Sequence, residues 1–259
     1  MLIDTNSPFY AAVAIGSTKV TGMVGRVDSE GAVNVLSYVA VSSADFIRKG
    51  RVYNVDKMTQ CLKNIRKRLE DQINCDIKQV YVALNCQGMR SITHIEERTF
   101  PQRITVQQEL IESLKADNRD KISHDQILID TLPQEYTMGA FSTIEPVGVM
   151  TDRIRAQFLN IVCNASAIEA IESCFRKAGL PIVRHTMAAD RLANVMTDEK
   201  ERSTGCAFVE MGSETTTVAV YRGKLLRHFA VLPLGGQNIT RDIASIFNCE
   251  ESEAEEFKR

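Results

Sequence analysis

The sequence predicts an α/β chain in which a βββα unit occurs twice, with a small α+β module inserted between the copies. Three observations predict it. Residues 9–15, 20–27 and 32–41 (FYAAVAI, VTGMVGRV, AVNVLSYVAV) are apolar runs divided by the polar turns GSTK and DSEG, the punctuation of antiparallel hairpins. At 206–211, 216–221 and 224–232 the runs CAFVEM, TTVAVY and KLLRHFAVL repeat that pattern around the turns GSET and RG. The copies lie about 195 residues apart, too far for a solenoid repeat and suited to two related half-domains. Between them, residues 87–163 change in character and carry a helix and three strands of their own.

Local chemistry justifies each element in turn. Residues 56–73 place Met58, Cys61, Leu62, Ile65, Leu69 and Ile73 every three or four positions, which makes a helix with one core face. Lys63, Arg66, Lys67 and Arg68 occupy much of its other face, where Arg66 and Glu70 pair one turn apart; this reads as a solvated face and not a nucleic-acid patch. VYVAL, residues 80–84, is a buried strand. In the insert, Thr105 and Gln108 form a capping box ahead of a helix with Val106, Leu110 and Leu114 on its apolar stripe. Strands are expected at 126–132, 136–141 and 153–163. Asn164, with Ser166 and Glu169, opens the next helix, which Gly179 and Pro181 stop. A strand over 180–187 and a short helix over 188–196 follow; TDEKERST (197–204) is an exposed linker and 237–247 a helix that completes the second unit. The expected division is 1–86 with 164–202, an insert at 87–163, and 203–259.

With 259 residues, 44% hydrophobic and 25% charged, the chain is globular and not disordered or fibrous. A net charge of −2 gives no electrostatic reason for a nucleic-acid partner. The seven cysteines are scattered, without a CxxC pair or zinc spacing, and are expected as reduced, mostly buried thiols. The first residues, MLIDTNSPFY, lack a signal pattern, and no apolar run approaches the ~18 residues of a membrane span, so the chain reads as cytosolic. His94, His124, His185 and His228 form no constellation.

The chemistry lies in the paired first turns, Gly16-Ser17-Thr18-Lys19 and Gly212-Ser213-Glu214-Thr215. Two such turns facing each other across a cleft can clasp a triphosphate, because their N–H groups and hydroxyls donate to it while nearby carboxylates hold Mg²⁺. This arrangement resembles the phosphate clamp of the actin, sugar-kinase and heat-shock-chaperone ATPase fold, an actin-like (ribonuclease H-like) architecture. Within that superfamily the chain is similar to the bacterial cell-division FtsA family. AIGSTKV carries the first phosphate motif with Lys19 in register, VEMGSETTTVAVY the second, and LPLGGQNITRDIA (232–244) the segment leading into the following helix. Lys49-Gly50-Arg51-Val52, VYVALN (80–85), LPQEY (132–136) and PVGVMTDRIRAQF (146–158) are further echoes.

The resemblance implies a nucleotide-binding set of Gly16, Ser17, Thr18, Lys19, Gly212, Ser213, Glu214, Thr215, Gly235, Gly236 and Asn238, with ATP and Mg²⁺ as cofactors of the full-length protein. It also implies that the insert is subdomain 1C, and that 203–259 is a partial subdomain 2A whose last helix enters 2B. The motifs depart from the family where metal and phosphate are handled. The first-loop Asp is Ala14; in the second loop Glu210 stands for Asp, Ser213 and Glu214 for Gly, and Thr217 for the last Asp. A carboxylate held ~4 Å from a phosphate charge costs about 4 kcal/mol at an effective dielectric near 20, unless it swings outward or shares a cation. Glu210 is left as the metal candidate, so hydrolysis is expected to be weak or absent, and tight nucleotide binding is not expected of residues 1–259 alone.

The expected function is that of a cell-division scaffold. By resemblance it self-associates, tethers the FtsZ ring to the inner face of the cytoplasmic membrane through a C-terminal helix beyond this chain, and recruits later division proteins through 1C. The alternative is an ATPase or small-molecule kinase of the same fold, for which Asp190, a helix-start residue, is the candidate general base. An actin-like pilus-assembly adaptor is a third reading, against which the LPQEY and PVG segments argue.

Overall fold

The computed structural model describes residues 9–258. Strands β1 (Phe9–Ile15), β2 (Lys19–Val27) and β3 (Val33–Ser42) pair antiparallel in order, as the turn chemistry predicts. Alternation puts Ala11, Val13 and Ile15 of β1 inside. A minimal hairpin unannounced by any apolar run follows: β4 (Ile47–Arg48) and β5 (Arg51–Val52) turn on Lys49 and Gly50, both at positive φ. Helix α1 (Val55–Ile73) starts where the Asn54 side chain accepts from the Lys57 N–H at 3.0 Å, and ends on left-handed Asn74. Of the expected stripe Met58, Cys61, Leu62, Ile65 and Leu69 are buried and Ile73 is half-buried, and Arg66 and Glu70 pair at 2.8 Å. β6 (Val80–Leu84) then runs parallel to β1.

The insert differs most from expectation. β7 (Arg90–Thr105) is a sixteen-residue strand where none was expected. Because Thr105 is still in that strand, the expected capping box does not form; α2 (Gln108–Asp120) begins after Gln107, without a side-chain cap. β8 (Gln126–Met138) is one strand across the break expected near Pro133, and the short β9 (Phe141–Thr143) follows it. Pro133 fits because it lies opposite Phe158 of β10 (Met150–Asn164), at a register shift where the ladder is already interrupted. Val106, Ile111, Leu114, Tyr136, Met138, Ile154, Ala156 and Phe158 make a second core here, with Tyr136 and Phe158 edge-to-face at 6.1 Å. Two fully buried amides join α2 to β10: Asn118 Nδ2 donates to Asn160 Oδ1 at 2.8 Å, and Asn160 Nδ2 donates to Asn118 Oδ1 at 2.7 Å.

Helix α3 (Ala165–Lys177) packs on α1; Asn164 caps it by position and not by a side-chain bond. β11 (Ile182–Met187) is parallel to β6, giving a sheet ordered β11-β6-β1-β2-β3. Helix α4 (Ala188–Met196) leads into residues 197–204, which are not a linker throughout: α5 (Glu199–Thr204) forms behind an Asp198/Glu201 capping box. The second unit is β12 (Cys206–Met211), β13 (Thr216–Arg222), β14 (Leu225–Leu232) and α6 (Gly236–Phe247), followed by α7 (Glu251–Lys258). Its three strands join the insert in a seven-stranded sheet, β12-β13-β14-β7-β10-β8-β9, through the pair Ala230 and Arg90. No helix among the described residues is long and apolar enough to cross a membrane.

Candidate functional site

The fold brings the two Gly-Ser turns face to face. Gly16, Ser17, Thr18 and Lys19 from the first, and Glu210, Gly212, Ser213 and Thr215 around the second, line one cavity of about 270 Å³, floored by Ala14, Ala83 and Asn85. The turns are duplicates in geometry as well as sequence. In each, the glycine N–H donates to the carbonyl three residues on: Gly16 to Lys19 at 3.1 Å and Gly212 to Thr215 at 2.8 Å. The first is braced by buried Ser43, whose Oγ donates to the Gly16 carbonyl at 2.7 Å.

The second turn rests on the start of α6. A Cβ on Gly235 would lie 2.5 Å from the Ser213 carbonyl oxygen and 2.6 Å from that of Gly212, so a glycine is needed for this approach. The Gly236 N–H donates to the Gly212 carbonyl at 2.9 Å, and that of Gln237 to the Ser213 carbonyl at 2.7 Å. Helix N–H groups of the kind that hold anions are therefore engaged by the turn itself. Asn238 fixes the helix start by accepting the Gly235 N–H on its Oδ1 at 3.0 Å. Gly235, Gly236 and Asn238 thus build the wall behind the 270 Å³ cavity and do not line it.

Charge on the lining of this cavity comes from Lys19 and Glu210. Glu210 supplies the one carboxylate on the cavity lining, and its Oε2 already accepts from Asn85 Nδ2 at 2.7 Å. Buried Thr217 has a hydroxyl without a hydrogen-bond partner. No three His, Cys, Asp or Glu side chains gather as a metal site among the described residues. One carboxylate is the least that a Mg²⁺ site takes from a protein, the remaining ligands being waters and substrate phosphates, and one oxygen of Glu210 is already engaged by Asn85.

Glu214 is not on the lining of this cavity but on that of a neighbouring one of about 250 Å³, with Ser17, Thr18, Ser213 and Arg241. Its carboxylate leaves the 270 Å³ cavity, with Oε2 accepting the Lys49 backbone N–H at 2.7 Å and Oε1 3.4 Å from the Arg241 guanidinium. Of the outcomes open from sequence, this is the outward swing. Asp190 lies at the start of α4, as expected, and is buried. Its Oδ1 accepts the Tyr221 hydroxyl at 2.8 Å, Arg191 lies 3.3 Å from Oδ2, and it is not on the cavity lining. Burial, and then the bond to Asp190, push the Tyr221 hydroxyl well above the ordinary tyrosine range, which keeps it a donor. Asp190 therefore braces α4 against β13 and is not placed as a general base. The cysteines are free thiols; Cys61, Cys86, Cys163 and Cys174 are buried, while Cys75 is exposed.

Sequence reading missed Ser43, Asn85 as the partner of Glu210, and Arg241. Lys49, Gly50 and Asn85 lay within segments echoing the family, and that was their only signal.

The family model described as "Cell division protein FtsA" matches residues 207–259. The cell division protein FtsA of Porphyromonas gingivalis is 29% identical over 96% of this chain and 53% of its own length. That of Escherichia coli K12 is 28% identical over 100% of this chain and 61% of its own. The chain thus spans between half and two thirds of the length of these relatives. Among solved structures, the PilM-PilN type IV pilus biogenesis complex matches with a TM-score of 0.62 at 18% identity, over 96% of this chain and 68% of that one. The ethanolamine utilization protein EutJ from Carboxydothermus hydrogenoformans matches with a TM-score of 0.53 at 13% identity, over 98% of this chain and 62% of that one. At such identities the structures speak to fold alone. The chain has an actin-like fold and is FtsA-like in sequence along its whole length.

Proposed function

We propose that this chain is part of a cell-division scaffold that resembles FtsA, in which the doubled-turn cleft tunes assembly and turns over little or no nucleotide. The observation that carries this reading is the state of the carboxylates: Glu210 is bonded to Asn85, and Glu214 is turned out of the cavity. Phosphoryl transfer depends on placed metal and charge, and this cavity supplies only Lys19 and a Glu210 carboxylate that Asn85 already engages. ATP, with Mg²⁺, remains the ligand class that the turns would receive in the full-length protein, through Gly16, Ser17, Thr18, Lys19, Gly212, Ser213 and Thr215.

Within this reading, residues 1–86 with 164–202 act as subdomain 1A and 203–259 as the start of 2A. Residues 87–163 act as the module that meets later division proteins, and their separate core supports that role. Self-association, FtsZ binding and attachment to the inner face of the cytoplasmic membrane come from likeness to FtsA and concern the longer protein.

Titrating the full-length protein with a fluorescent ATP analogue, with and without Mg²⁺, tests the cleft. The expected outcome is weak binding that Mg²⁺ barely changes, without product. Metal-dependent micromolar binding with turnover would overturn the proposal in favour of an enzyme.

A further inference from the structure

Glu214 departs most from a phosphate-clamp pattern, and its new partners lie on both sides of the cleft. Lys49, whose N–H it accepts at 2.7 Å, belongs to the β4–β5 turn beside the first unit; Arg241, 3.4 Å from its other oxygen, is on α6 of the second. The side chain is only 12% exposed, so water competes poorly for these contacts. The next N–H of the same turn, that of Gly50, donates to Ser17 Oγ at 3.0 Å. Two successive N–H groups therefore reach into the two Gly-Ser turns, one each.

The β4–β5 turn is shaped to make this reach. Lys49 and Gly50 have φ of 50° and 70°, and a Cβ on Gly50 would sit 2.2 Å from the Asn85 carbonyl oxygen. Arg241 is held in turn by Glu251 of α7 at 3.6 Å. A backbone N–H and a guanidinium converging on one negative group is how proteins receive a bound anion. Here the anion is covalently part of the second turn.

We propose that Glu214 is a built-in anion that latches the cleft shut, joining the β4–β5 turn to α6 without bound phosphate. The inference deepens the scaffold reading and rests on it for the meaning of a cleft whose two walls are joined by the protein's own carboxylate. The contacts themselves do not depend on whether ATP is hydrolysed.

Amide hydrogen exchange on nucleotide-free full-length protein tests the latch, with α1 amides as the control for global unfolding. In the wild-type protein the segment containing Lys49 and Gly50 should be protected without nucleotide. Glu214→Ala should speed its exchange about tenfold or more while α1 stays unchanged, because a local opening replaces a closed contact. Glu214→Gln, equal in size and still an acceptor, should give a smaller increase, and it carries the test if the alanine variant does not fold. The latch is overturned if either folded variant exchanges at this segment like wild type, or if wild-type protection appears only when an ATP analogue is added. Turnover of ATP by a protein whose variants still loosen would defeat the scaffold reading and leave the latch standing.

Discussion

The two βββα units share a backbone plan and differ in what they bury. In the first, α1 buries Met58, Thr59, Cys61, Leu62, Ile65 and Leu69, and three of the seven residues of β1 are inside. In the second, β12 has no fully buried residue, and α6 buries only Thr240 while Ile246 and Phe247 remain 78% and 69% exposed. The first unit therefore buries its helix among the described residues, whereas the second enters the same core through β13 and β14, with Ala219, Tyr221, Leu226, Phe229 and Val231.

Truncation in each unit breaks or keeps this contrast. Leu62→Ala, at a fully buried site, should cost about 2 to 5 kcal/mol, read from denaturant midpoints at unchanged slope. Tyr221→Phe follows: it leaves the buried Asp190 carboxylate without its hydroxyl donor and should cost about 1 to 3 kcal/mol, which would place the second unit's main anchorage on β13. Gly50→Ala should cost more than about 1 kcal/mol, since the residue sits at positive φ against the Asn85 carbonyl, and the loss should be accompanied by faster exchange around the cleft. Ile246→Ala, at an exposed site on α6, should stay within about 0.5 kcal/mol of wild type. If Ile246→Ala proved as damaging as Leu62→Ala, the contrast between the units would be wrong.

Sequence alone made the two repeated units legible because apolar alternation and turn residues agree there, and α1 because its stripe is regular. It failed at β7, where RSITHIEERTFPQRIT offers almost nothing apolar to a core: the one fully buried residue of that strand is Glu96, engaged by Lys121 at 2.7 Å. It failed at α5 for a related reason, since no residue of that helix is buried, although Asp198 and Glu201 carried a readable capping signal. At the cleft, the facing turns were legible from their repetition. The direction of Glu214 was not, because it is set by a backbone N–H 165 residues away and by a cation on the next helix. Asp190 misled because its position in sequence says nothing of Tyr221, which comes 31 residues later to claim it.

The reciprocal amides of Asn118 and Asn160 set the insert helix in place by a means that neither salt nor pH can loosen, since no member of the pair carries charge. Sliding α2 by one turn would bring Leu114 against Asn160 and strand both amides, so the pair works as a detent with a single resting position. A face presented by the insert to another protein would keep its register with the sheet through changes of ionic strength that dissolve the helix's exposed ion pairs, such as Lys115 with Glu112.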